Sequence, residues 1–80
     1  MDFVRYAVGK TIKQIRKEKC LSQEVLSGFT GLARSHLAMI EKGTKQTNFE
    51  TIWRIANALQ IAPHTLVNEI ENNILDEKRG

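Results

Sequence analysis

One cysteine, one proline, one tryptophan and five glycines in eighty residues already exclude a good deal. The lone Cys20 can form neither an internal disulfide nor a multi-thiolate metal site, and it points to a reducing interior. No apolar run approaches the ~18 residues of a membrane span. The N-terminus lacks the basic-then-apolar pattern of a signal peptide, so a soluble, cytoplasmic protein without membrane association is expected. So few glycines and prolines leave little room for a many-turned β architecture. Enzyme chemistry is also missing. There is no paired-carboxylate site, no Ser/Cys–His constellation with a supporting motif and no glycine-rich phosphate loop. Neither His36 nor His64 has a ligand spacing with Cys20, so no metal, no cofactor and no enzymatic activity are expected.

What is present suits one small all-α domain covering residues 1–80. Hydrophobic residues make up 41%, enough for a core, and charged residues 26%, which is ordinary for a folded chain. A domain this size buries only roughly 60–65% of its unfolded surface, so pairing with a second copy would help its stability. The net charge of +3 is unevenly spread. Residues 1–54 carry ten Lys/Arg against five Asp/Glu, and residues 55–80 carry two against four. A basic body of this kind suits a polyanion, and a solvated lysine-rich helix face explains it equally well.

Periodicity predicts five short helices and no strand. In "FVRYAVGKTIKQIRKEK", Val4, Val8, Ile12 and Ile15 recur at helical spacing, with Phe3, Ala7 and Thr11 beside them. Lys17 and Lys19 in its last turn suit the negative end of the helix dipole. Ser22 is a good N-cap for a second helix, in which Leu26, Phe29 and Thr30 share a face and which Gly31 ends. The third helix runs from about Ala33 to Lys42 and closes at Gly43. Thr47 or Asn48 caps a fourth, "FETIWRIANALQ", with Ile52, Ile55, Ala56 and Leu59 on one face. Pro63 stands at the first position of a fifth, whose stripe is Leu66, Val67, Ile70 and Ile74. The charged end, "DEKRG", is expected to fray.

On a wheel of about 100° per residue, the third helix turns Leu37 and Ile40 one way, flanked by Ala33 and Glu41. Ser35, Ala38, Met39 and Lys42 face the other way, and Arg34 projects from the N-terminal edge. Two short helices across the break at Gly31 match a helix-turn-helix. On the wheel alone, a core hairpin with a solvated outer face fits as well.

The run "IRKEKCLSQEVLSGFTGLARSHLAMIEKG…NFETIWRIANALQIAPHTL" resembles the phage-repressor/Cro-type (XRE-like) helix-turn-helix family. The resemblance spans about residues 9–67 and rests on several features in order. These are Ser22-Gln23, Leu26, the turn glycine Gly31, "IEKG" at Ile40–Gly43 and "IANALQI". It implies a lambda-repressor-like five-helix bundle whose helix-turn-helix occupies about 22–42. Residues 48–75 then supply the fourth and fifth helices for core and dimerisation.

The resemblance also implies residue roles. Arg34, Ser35 and Met39, with Ala38 near them, would face base edges in the major groove. Ser22, Gln23, His36, Lys42, Thr44, Lys45 and Asn48 would hold phosphates. Arg16 and Glu41 match a structural ion pair joining the first helix to the third. An arginine at the start of a groove-inserted helix can bond guanine O6 and N7 together, so Arg34 is the strongest base-reading candidate. Ser35 discriminates little and Met39 offers only apolar contact; a role in spacing or shape suits both equally. Three positions depart from the family pattern. Ala33 stands where Ser or Thr commonly caps, Gly28 lies inside the second helix, and Cys20 replaces a common glycine.

Such modules pair across a two-fold axis. Trp53 falls outside the core stripe of its helix, and with Val67, Ile74 and Leu75 it suggests an isologous patch. Covering the small core is its alternative role. The expected function is a sequence-specific, homodimeric transcriptional regulator of double-stranded DNA. The short chain resembles restriction–modification controllers or small phage repressors, and the sequence leaves that choice open. An antitoxin-like interaction module is the rival class, with a toxin as partner; RNA polymerase is the other protein partner considered.

Overall fold

Each of the five periodic stretches forms a helix: α1 (Phe3–Glu18), α2 (Gln23–Thr30), α3 (Arg34–Lys42), α4 (Phe49–Ala58) and α5 (Pro63–Arg79). The computed structural model describes residues 3–79, and among them there is no strand. The all-α expectation holds.

Local chemistry sets most helix ends. The Ser22 hydroxyl accepts from the Val25 N–H at 3.1 Å, and the Asn48 side chain accepts from the Thr51 N–H at 2.8 Å. Asn48, rather than Thr47, is therefore the α4 cap. Ala33 is the α3 N-cap and has no side-chain acceptor to offer, so α3 begins one residue later than expected. Gly31 and Gly43 end α2 and α3 with φ of 78° and 80°, where a side chain would be strained. Cys20 and Gln60 adopt the same left-handed conformation without being glycine. They close the ends of α1 and α4 through Leu21 N–H to Arg16 C=O and Ile61 N–H to Ala56 C=O. Lys19 lies in this closing turn, one residue beyond α1, rather than in its last turn. The end of the chain also differs from expectation, since α5 continues through Arg79. No glycine or proline interrupts residues 76–79, and Glu, Lys and Arg are good helix formers. Gly80, the last residue of the expected frayed end, lies outside the described residues.

Ile12, Leu26, Leu37, Ile40, Ile55, Leu59 and Leu66 are almost completely buried and bring all five helices onto one core. α1 packs on α3 and α5, α2 bridges α3 and α4, and α4 packs on α5. The tightest approach is at Gly9, where a Cβ would collide with the Ile40 and Glu41 carbonyl oxygens. Across α1 and α5, Asn73 donates to the Thr11 hydroxyl, which donates to the Ala7 carbonyl.

Four residues expected on core stripes or their flanks behave otherwise. Phe29 is 66% exposed because the buried arc of α2 runs from Leu26 through Thr30 to Ser27. Phe29 lies on the other side of Leu26, about 60° away. Val67 is exposed for the same reason: the buried line of α5 is Leu66–Ile70, and Val67 is one position off it. Val4, in the first turns of α1, is exposed where the buried set starts only at Ala7. Ala33, expected to flank the inner face of α3, is an exposed cap residue.

Candidate nucleic-acid interface

The turn between α2 and α3 is stitched by Thr30. Its hydroxyl donates to the Ser27 carbonyl at 2.9 Å and accepts from the Leu32 N–H at 3.1 Å. Leu32 then packs against the core and delivers the chain to Arg34. From there α3 has two faces. Leu37, Ile40 and Glu41 are buried, and Arg34, Ser35, Met39 and Lys42 are exposed. His36 and Ala38 are half-buried at the boundary.

The inner face is held by a buried ionic network. Arg16 donates from Nε to Glu41 Oε2 at 2.8 Å and from Nη2 to Oε1 at 3.0 Å, a two-point pairing. Its Nη1 donates to the Leu21 carbonyl at 2.7 Å. Glu41 Oε1 also accepts from Gln23 Nε2 at 3.0 Å. The Arg16 and Glu41 side chains are only 9% and 2% exposed, so each charge depends on the other for its solvation. One carboxylate thus joins the end of α1, the start of α2 and the end of α3. The bond from Gln23 escaped the sequence reading, since no spacing rule links residues 18 positions apart on different helices.

The expected phosphate-binding residues lie at the start of α2, on α3 and in the loop that joins α3 to α4. Ser22 is exposed at the N-terminal end of α2, and Gln23 stands beside it with its amide already aimed by Glu41. Lys42 and Lys45 are exposed. Asn48 is exposed and uses its carbonyl oxygen as the α4 cap, and the Thr44 hydroxyl donates to the Met39 carbonyl at 3.1 Å. Gln23, Ala38, Glu41 and Lys42 line one shallow concavity with Tyr6, Lys10 and Lys13 of α1. Those three α1 residues were not anticipated. Their i, i+4, i+7 spacing is readable in the sequence, but the neighbour they face is not.

Further exposed apolar residues lie on α4 and on α5. Phe49 and Trp53 meet edge to face, with ring centroids 5.9 Å apart, and are 66% and 49% exposed. Trp53 is exposed, as its place off the core stripe predicts; its aromatic partner Phe49 was not foreseen. Val67 and Leu75 are exposed on α5, whereas Ile74 is half-buried against the core and offers less to such a surface. Among the described residues no group of His, Cys, Asp and Glu is placed to hold a metal ion. Nor is any helix among them long and apolar enough to cross a membrane.

A helix-turn-helix family model matches residues 12–67, which contain α2 to α4, the C-terminal part of α1 and the first turn of α5. The chain belongs to the helix-turn-helix family. Among curated relatives it is 37% identical over 71 residues to the HTH-type transcriptional regulator SinR of Bacillus licheniformis. That match covers 86% of this chain and 63% of SinR, so the chain spans somewhat under two thirds of that relative's length. It is 33% identical over 66 residues to the control protein C.BamHI of Bacillus amyloliquefaciens, covering 81% of this chain and 82% of C.BamHI. Among solved structures, it superposes on the restriction-modification controller protein C.AhdI of Aeromonas hydrophila with a TM-score of 0.75 at 34% identity. That superposition covers 78% of this chain and 94% of C.AhdI. The C.Esp1396I controller tetramer, solved in complex with its natural 35 base-pair operator, gives a TM-score of 0.88 at 25% identity. It covers 94% of this chain and 99% of that one.

The buried Arg16–Glu41 pair ties the end of α1 to the end of α3. The position of Ala33 at the start of α3 has a physical consequence. With no side-chain oxygen to cap it, the first-turn N–H groups of α3 have no acceptor on that residue, and Arg34 follows directly.

Proposed function

We propose that this chain is a cytoplasmic, non-enzymatic transcription regulator that binds double-stranded DNA sequence-specifically, as a homodimer on a two-fold-symmetric operator. One observation carries the reading. The exposed stripe of α3 headed by Arg34 is held to the body by the buried Arg16–Glu41–Gln23 network, across a turn of helix-turn-helix form. α3 enters the major groove, Arg34 reads a guanine through O6 and N7, and Ser35, Ala38 and Met39 make short-range contacts along the same stripe. Ser22, Gln23 and Lys42, with His36, Thr44, Lys45 and Asn48, fix the register on phosphates without reading sequence.

Pairing runs through α4 and α5, with Trp53, Val67 and Leu75 at its centre and Ile74 at its inner edge. Two copies then place their reading helices about 34–36 Å apart, one turn of duplex. Similarity to C.AhdI over 94% of that protein's length supports a restriction–modification controller role over that of a phage repressor. Selection of bound sites from a random DNA pool tests the proposal. The expected product is a consensus of two inverted half-sites, each with a guanine that Arg34 specifies. No enrichment over input would overturn DNA reading, and a single undivided half-site would overturn the dimer.

A further inference from the structure

The concavity between α1 and α3 holds more cationic chemistry than the reading helix itself. Tyr6, Lys10 and Lys13 recur at i, i+4 and i+7, so they form one stripe along α1. The close approach of α1 to α3 at Gly9 sets that stripe beside the end of α3, where Lys42 and the small Ala38 form the opposite wall. The floor is Glu41, whose carboxylate is already bonded twice by Arg16 and once by Gln23. Its charge is therefore balanced within the network. Lys13 and Lys42 are exposed beside it, and Tyr6 and Lys10 complete its lining, so the exposed charge around it is cationic.

We propose that this α1 stripe is a phosphodiester-binding edge of the interface, gripping the strand that borders the groove occupied by α3. The inference rests on the DNA-binding reading above and adds residues to it. Lysine ammonium groups suit phosphate oxygens as point charges, and they lack the planar fork with which arginine reads guanine. The stripe therefore adds affinity and fixes the tilt of α3, and it leaves sequence choice to Arg34 and its neighbours. Lys10 and Lys13 are both exposed, so exchanging them leaves the core intact.

The test uses the full chain, a duplex recovered by selection from a random pool and an unrelated duplex of equal length. Binding is measured across a salt series for the wild type, Lys13→Gln, the Lys10→Gln/Lys13→Gln pair and the corresponding double arginine variant. Each lost phosphate contact removes about 0.9 from the slope of log K against log salt, so the glutamine pair is expected to flatten it by about 2. Both duplexes should lose affinity by the same factor, and the arginine pair should restore the slope. An unchanged slope in a glutamine pair that melts like the wild type would overturn the phosphate edge and leave DNA reading intact. Loss confined to the selected duplex would overturn it too, by making the stripe a reader of sequence. A wild type that binds neither duplex would remove the DNA-binding reading and this inference together.

Discussion

The α1–α3 side and the α4–α5 side of this molecule are both exposed, and they are made of opposite chemistry. The first shows Arg34, Lys42, Lys10 and Lys13 around a half-buried Ala38, with Met39 and Tyr6 beside them. The second shows Phe49, Trp53, Val67 and Leu75. Exposed charge of one sign stays solvated until a polyanion replaces the water and counterions. A patch of large apolar residues gains by excluding water against a matching patch. The difference teaches that one small fold divides its surface into a cationic side, where we propose DNA contact, and an apolar side, where we propose self-association, with the core of Leu37, Ile40, Ile55 and Leu66 lying between.

The largest effect is expected where the cationic side is anchored. Replacing Glu41 by alanine leaves the Arg16 charge buried without its partner, and stability should fall by about 3–5 kcal/mol in denaturant titration. A loss in the range of an ordinary surface substitution would mean that the network does not hold α3. Next is the apolar side. Trp53→Ala should weaken self-association by about 2 kcal/mol, roughly thirtyfold, in sedimentation equilibrium, with little change in the fold. If the variant remains a dimer at the same concentration, the α4–α5 side is ordinary surface and the contrast drawn above fails. A change of similar size sharpens the cationic side. Arg34→Ala should cost about 1–3 kcal/mol on a selected site and much less on an unrelated duplex, with self-association unaltered. Equal losses on both duplexes would make Arg34 a phosphate contact.

Much of the fold was legible because its signals are local. Ser22 ahead of an apolar period, the glycines at 31 and 43, and Pro63 opening a helix each act within one turn of chain. The misreadings at Phe29 and Val67 have one cause. A short helix with several apolar residues has more than one plausible buried arc, and only the neighbours decide which is used. In α2 that choice falls toward Ser27, whose hydroxyl is satisfied by the Glu24 carbonyl, and the large Phe29 is turned outward. The ion pair of Arg16 and Glu41 came from resemblance, since no local pattern joins residues 25 positions apart. The contacts of Gln23 with Glu41, and of α1 with the end of α3, were invisible for the same reason.

By itself the sequence determined five helices, the caps at Ser22, Gly31 and Gly43 and the outward stripe of α3, because helical period and capping are properties of neighbouring residues. Tertiary structure alone decided that Gly9 must have no side chain, since the α3 carbonyls come too close for a Cβ. It also decided that Glu41 serves three helices at once and that the lysines of α1 border the reading helix. These are meetings in space between residues far apart in the chain, and packing alone brings them together.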